Sequence, residues 1–154
     1  MNYWIFKSEP TVFSIDHLAK RLKQTEPWDG VRNFQARNML RDEVKTGDLV
    51  FFYHSNCMPP GIAGMMQVVK EGYPDTTQFD PESRYYDPRA THACPIWYRV
   101  DVKLIKQFPK LITLDSLKSQ PALKKLWILR KGNRLSITPI TIKEWHVINQ
   151  LSIT

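Results

Sequence analysis

Four segments concentrate the residues that could do chemistry: Phe6-Lys7-Ser8-Glu9-Pro10, the run from Trp28-Asp29-Gly30-Val31-Arg32-Asn33 to Asn38, Phe52-Tyr53-His54-Ser55-Asn56 with Pro60-Gly61-Ile62, and Tyr73-Pro74-Asp75 through Tyr85-Tyr86-Asp87. Each mixes aromatic rings with small polar side chains near a turn or strand end, where side chains can point into a concavity instead of a core. That mixture suits an extruded nucleobase, whose faces take flat rings and whose edge takes amide, hydroxyl or carboxylate groups.

Other chemistries fit the residues less well. His54 and Ser55 are adjacent, and neighbours on a strand point to opposite faces, which works against a nucleophile and base acting as a pair. Gly61-Ile62-Ala63-Gly64 lacks the spacing of a phosphate-binding glycine loop, and there is no nucleophile elbow. Asp75, Asp80, Glu82 and Asp87 lie in a proline-rich stretch where carboxylates commonly form solvated turns. We therefore expect no enzyme, no catalytic residue and no cofactor. The sharper rival is zinc, because His54-x-x-Cys57 and His92-x-Cys94 could together supply two His and two Cys ligands, although His-x-Cys is tight for a single ion. A protein reader that cages methyl-lysine in its aromatic rings is a third class.

The chain has 154 residues, a net charge of +7, 42% hydrophobic residues, 11 prolines and two cysteines. One domain over 1–154 is the natural expectation, since domains cluster around roughly 100 to 150 residues. No apolar run approaches the roughly 18 residues of a membrane helix, and the N-terminus lacks a basic region before its short apolar run. These features suit the cytoplasm, or the nucleus in a eukaryote, with both cysteines reduced. A monomer is the working expectation.

The charge is uneven. Residues 1–98 carry 11 Lys/Arg against 12 Asp/Glu, a net −1, whereas residues 99–154 carry 11 against 3, a net +8. A one-sided basic region is the electrostatic footprint expected for a phosphate polymer, DNA or RNA, and disfavours a cationic lysine tail. Lys124, Lys125, Arg130, Lys131 and Arg134 are the candidate phosphate contacts.

The elements that must position these groups follow from pattern. Tyr3 to Lys7, Leu49 to His54, Ile62 to Lys70, Trp97 to Lys106 and Leu135 to Thr138 read as strands. Ser14 caps a helix with Ile15, Leu18, Ala19 and Leu22 on its apolar stripe, and Asn33 caps another over Asn33 to Glu43, with Phe34, Met39, Leu40 and Val44 as its buried side. Thr113 to Ser119 and Ala122 to Trp127 read as short helices, and a Thr141/Glu144 capping box opens a last helix to Leu151. The stretch from Tyr73 to Pro95 reads as a long ordered loop. Strand 97–106 should turn Tyr98, Val100, Val102 and Leu104 inward and Trp97, Arg99, Asp101 and Lys103 to water. The fold class is α+β, a strongly curved mixed sheet with flanking helices.

Lys7-Ser8-Glu9-Pro10, Trp28-Asp29-Gly30-Val31-Arg32-Asn33, Phe52-Tyr53-His54-Ser55-Asn56, Pro60-Gly61-Ile62, Tyr73-Pro74-Asp75, Tyr85-Tyr86-Asp87 and Arg134-Leu135-Ser136-Ile137 also occur in the order seen in the EVE domain family. The chain resembles that family from Tyr3 to about Ile148. The resemblance implies a PUA-like pseudo-barrel and binding of a modified, for example methylated, nucleobase of DNA or RNA. Carried over residue by residue, it places Ser8, Trp28, Asn33, Tyr53, Ser55, Asn56, Gly61, Asp75 and Ser136 at or near the pocket. Trp28 and Tyr53 would stack, Asn33, Ser55, Asn56 and Asp75 would meet the base edge, and Gly61 would admit close backbone approach. Two departures from the pattern are Phe34, where a tyrosine is usual, and Cys57-Met58, which lengthens the loop after Asn56.

Overall fold

The long apolar runs become strands covered on both faces. In the computed structural model, which describes residues 1–153, β1 (Tyr3–Ser8) and β3 (Leu49–His54) lie parallel in the middle of a six-stranded sheet. β2 (Thr25–Trp28), β4 (Gly61–Pro74), β5 (Tyr98–Thr113) and β6 (Ile137–Ile140) complete it in the order β2-β5-β4-β3-β1-β6, with every other pairing antiparallel. Four helices flank it: α1 (Ile15–Ala19), α2 (Phe34–Asp42), α3 (Leu114–Lys118) and α4 (Ile142–Leu151). This is the α+β mixed sheet that the sequence predicts; it is bent but open, with β2 and β6 as its edges.

Alternation along the central strands sorts their aromatics between two cores. Trp4, Phe6, Val50 and Phe52 join Trp28, α1 and α2 on one face. Ile5, Phe51 and Tyr53 join α4 on the other, where the Phe51 ring stacks on Trp145 at 4.0 Å. The bend comes from the β4–β5 pair, whose register breaks four times, with a further break between Phe52 and Tyr53 where β3 meets β4. Each bulge tilts the strand and raises its twist. Gly61 and Gly64 sit where the chains come closest; a Cβ on either would lie 2.3 Å from a β5 carbonyl oxygen, that of Ile112 or Lys106.

The caps follow the sequence. Asn33 accepts a hydrogen bond from the Ala36 amide, and Thr141 and Glu144 form their box. Ser14 pairs with His17, and His54 Nε2 accepts the Ile15 amide, so a second histidine serves the same helix start. Burial holds the His54 imidazole below its ordinary pKa, which suits that accepting role.

Several expectations are corrected. α1 stops at Ala19, leaving Leu22 exposed. The Pro27 segment is an edge strand, where a residue without an N–H is tolerated. Ala122 to Trp127 is two 3-10 turns (Pro121–Leu123 and Trp127–Leu129) instead of a helix, and the last strand is shifted to Ile137–Ile140. Trp97 is buried, because its indole donates to Asp87; Phe34 is half exposed.

One buried carboxylate ties the central strands to the turn before β3. Asp48, 2% exposed, accepts from the Asn2 amide, the Trp4 indole and the Lys45 amide. Asp48→Ala would leave those donors unpaired and cost about 3 kcal/mol. Urea unfolding should show it as a lower midpoint at unchanged slope; an unchanged midpoint would contradict the assignment.

Candidate nucleic-acid interface

The turn after β2 builds one wall of a cleft. Trp28, at the end of β2, packs edge-on to Phe52 (ring centroids 5.2 Å apart), tilts against Phe6 at 5.5 Å and meets the Phe13 ring edgewise at 6.1 Å. Three rings therefore hold the indole, a rigid floor. Gly30 follows with φ +78, and the Tyr85 ring lies directly on it: a Cβ there would be 2.6 Å from the ring. Only glycine meets both conditions, positive φ and contact with a ring.

Asp75 fixes this turn from beneath. Its carboxylate is fully buried and accepts from the Gly30 amide at 2.9 Å, the Arg32 guanidinium at 3.1 Å, and the amide and hydroxyl of Thr77. Burial pushes the Asp75 carboxyl up, but hydrogen bonds from Thr77 and Gly30 outweigh it and hold the group below the usual carboxylate range. Arg32 spends its donors on Asp75, Thr77 and the carbonyls of Val31 and Tyr85, between the Tyr85 and Trp97 rings at 5.4 and 5.3 Å. It clamps the segment 75–97 over the cleft.

That segment is held by buried polar groups. Gln78 donates to the Asp75 and Trp97 carbonyls and accepts from the Ile96 and Trp97 amides, while Asp87 accepts the Trp97 indole N–H. The opposite wall comes from the end of β1 and the turn after it, where Ser8 donates to the Phe13 carbonyl at 2.6 Å. Arg21 and Glu26, paired at 2.7 Å, close one end.

The resulting open cleft has a volume of about 440 Å³ and is lined by Trp28, Phe13, Tyr85 and Val31 among its rings and apolar groups, and by Ser8, Glu9, Asp29, Arg84 and Ser136 among its polar ones. That is within the usual range of ligand sites. Asp29, half exposed at the cleft wall, has its carboxyl pushed above the usual range by partial burial and then by the neighbouring Asp75, against Arg99 at 3.8 Å.

Of the nine expected pocket residues, Ser8, Trp28 and Ser136 line this cleft. Asp75 lies under it. Asn56 reaches its margin, donating to Glu9 Oε1 at 3.1 Å, and the Ser55 amide donates to the Ser8 carbonyl. Asn33 is engaged as the α2 cap, and Gly61 lies against β5. Tyr53 packs in the other core, on the reverse face of the sheet, where burial pushes its phenol up to about 12. Lys124, Lys125, Arg130, Lys131 and Arg134 are all exposed, and Arg134 stands two residues before Ser136. Arg99 is enclosed with Asp29 and Asp75 instead of facing water. His54, Cys57, His92 and Cys94 do not assemble a metal site, since no cluster of three metal-binding side chains exists among the described residues and His92 stacks on Phe79. Arg32, Tyr85, Phe13 and Asp29 had no individual role in the sequence reading; the only signal was their place inside or beside its motifs.

The same cleft-bearing chain matches the EVE domain over residues 2–151. It belongs to the EVE domain family. Human thymocyte nuclear protein 1 is 43% identical over 97% of this chain and 73% of its own length. A crystal structure of human THYN1 in complex with DNA containing 5-methylcytosine has a TM-score of 0.93 at 42% identity, covering all of this chain and 99% of that one. A Pseudomonas putida protein of known structure is 47% identical with a TM-score of 0.92, covering 97% and 99% of the two chains. The PUA-like architecture of this EVE domain is thus shared along its whole length with relatives from bacteria and vertebrates.

In this EVE domain two neighbouring carboxyls act on stability with opposite signs. Asp75, with its folded pKa depressed, stabilises the fold above its unfolded value near 3.9, and that contribution is lost as pH falls through the folded value. Asp29, with its folded pKa raised, weakens the fold as pH rises from below the unfolded value through the folded one. Chemical denaturation between pH 3 and 7 should show Asp75→Asn less stable at pH 7 and flatter in acid, and Asp29→Asn more stable at pH 7. Equal, like-signed effects would contradict the geometry.

Proposed function

We propose that this EVE domain is a binding module for DNA that takes one unstacked, modified base into the Trp28 cleft, with 5-methylcytosine as the first candidate. The observation that carries the reading is the cleft itself, a fixed aromatic floor with carboxyls and hydroxyls at its walls, in a chain 42% identical over its whole length to the protein crystallised with 5-methylcytosine DNA. Phe13, Trp28 and Tyr85 would meet the faces of the base. Asp29 or Glu26 would accept the exocyclic amine of a cytosine, as carboxylates do, and the apolar Val12, Phe13 and Val31 would surround a methyl group. Arg134 and Lys131, with Arg130, Lys124 and Lys125 behind them, would hold phosphates.

Binding without catalysis fits the disposition of the groups. The Ser8 hydroxyl donates to a backbone carbonyl, so no base is placed to activate it. A methyl-lysine tail would meet Arg21 and Arg84 at the cleft and a chain of net charge +7.

Two measurements test the reading. In an affinity panel of oligonucleotides of one sequence, carrying cytosine, 5-methylcytosine or 5-hydroxymethylcytosine, the methylated form should bind about tenfold tighter than the unmodified one, the gain expected of a methyl group in a fitted pocket. Equal affinity would remove the claim. Replacing Lys131 and Arg134 with alanine should reduce the salt slope of binding by about 2 while leaving the preference for the methylated base intact. An unchanged slope would take phosphate contact away from this loop.

A further inference from the structure

Leu22 is 87% exposed, although its spacing from Ile15 and Leu18 places it on an apolar stripe. The backbone explains the difference. Lys23 and Gln24 both take left-handed conformations, φ 54 and 52, which end any helix and which non-glycine residues seldom adopt in succession. Local bonds hold this turn: the Gln24 amide donates to the Arg21 carbonyl at 2.8 Å, the Thr25 hydroxyl to the Lys23 carbonyl at 3.0 Å, and the Gln24 side chain to the Ala19 carbonyl at 3.4 Å.

The turn's place in the fold gives it meaning. Arg21 and Glu26, on either side of it, both line the cleft and are bridged to each other at 2.7 Å, so residues 22–24 project from the cleft margin just before β2 begins. The Arg21 guanidinium also lies over the Phe13 ring at 5.3 Å, fixing the base of the projection. An apolar tip is thus displayed on a braced support, with exposed Lys20, Arg21 and Lys23 around it.

We propose that Leu22 is a wedge for duplex DNA, entering the base stack beside the nucleotide that occupies the cleft. The inference rests on the base-binding reading above. A duplex that surrenders a base loses stacking at that step, and apolar side chains such as leucine are well suited to fill the opened step while cations meet the flanking phosphates. A cationic collar around a single bare leucine matches that target, in which an apolar stack lies between two charged backbones.

The test compares wild type with Leu22→Ser and Leu22→Phe by fluorescence anisotropy on two probes, a duplex with one 5-methylcytosine and the same methylated strand alone, each measured beside its unmethylated counterpart. Leu22→Ser should weaken duplex binding about tenfold, leave single-strand binding unchanged, and be rescued by Leu22→Phe, since the lost contact is stacking within the duplex. Equal losses on both probes, or no loss on the duplex, would overturn the wedge. Failure of the wild-type protein to prefer the methylated base on either probe would instead overturn the base-binding reading, and the wedge with it. An exposed leucine at a surface turn leaves the fold insensitive to these changes, so the comparison reports on the nucleic acid.

Discussion

The buried Asp75 carboxylate is the constraint on which the cleft depends. It joins three pieces of chain distant in sequence: the Gly30 amide and Arg32 from the turn after β2, Thr77 from the segment after β4, and at longer range Arg99 from β5. An isolated charge at that depth would be prohibitively unfavourable, so the site exists only because its donors converge. The consequence is mechanical. Gly30 is held in its left-handed turn, Tyr85 is drawn across it by the Arg32 clamp, and the cleft acquires two walls whose separation is set before any ligand arrives.

The bent sheet supplies the third side. Bulges in β4 and β5 let one surface of the sheet curl around α1 and the β2 edge, so that Trp28 rests on Phe6 and Phe52 while still bordering the cleft. The reverse surface is filled by α4 and Trp145. Rigidity of this kind favours discrimination by shape, because a packed aromatic floor does not shift to absorb a missing or extra methyl group. The cleft wall carries charges of both signs, Arg21 and Arg84 against Glu26 and Asp29, while the exposed Lys131 and Arg134 stand in the loop before Ser136, where the proposed function has them hold phosphates.

Much of the fold was legible in the sequence, and for clear physical reasons. The run Leu49–Tyr53 is apolar at every position because both sheet faces are covered, and Asn33 and the Thr141/Glu144 pair are local signals whose hydrogen bonds span three residues. The cleft was legible only in part. Ser8, Trp28 and Ser136 came from the resemblance to the EVE domain family, which also named Tyr53; Phe52 and Tyr53 are adjacent aromatics, and nothing in their order says which of the two sheet faces bears a site. Asp75 works across 45 residues, and the contact of Tyr85 with Gly30 spans a comparable distance; neither leaves a periodic trace. Leu22 read as core because helical spacing carries no warning that the next two residues adopt positive φ.

The proposed function stands or falls with a modified base sitting in the Asp75-braced cleft. Amide and indole NMR spectra of the protein, recorded as DNA with a single 5-methylcytosine is added and again with unmethylated DNA, decide whether it does. With the base in the cleft, the methylated probe should shift the Trp28 indole and the amides of Gly30, Val31, Arg32 and Ser136 at about tenfold lower concentration than the unmethylated one, while both probes shift the loop around Arg134. Shifts that leave the Trp28 indole and the Gly30–Arg32 turn unmoved with both probes would contradict it.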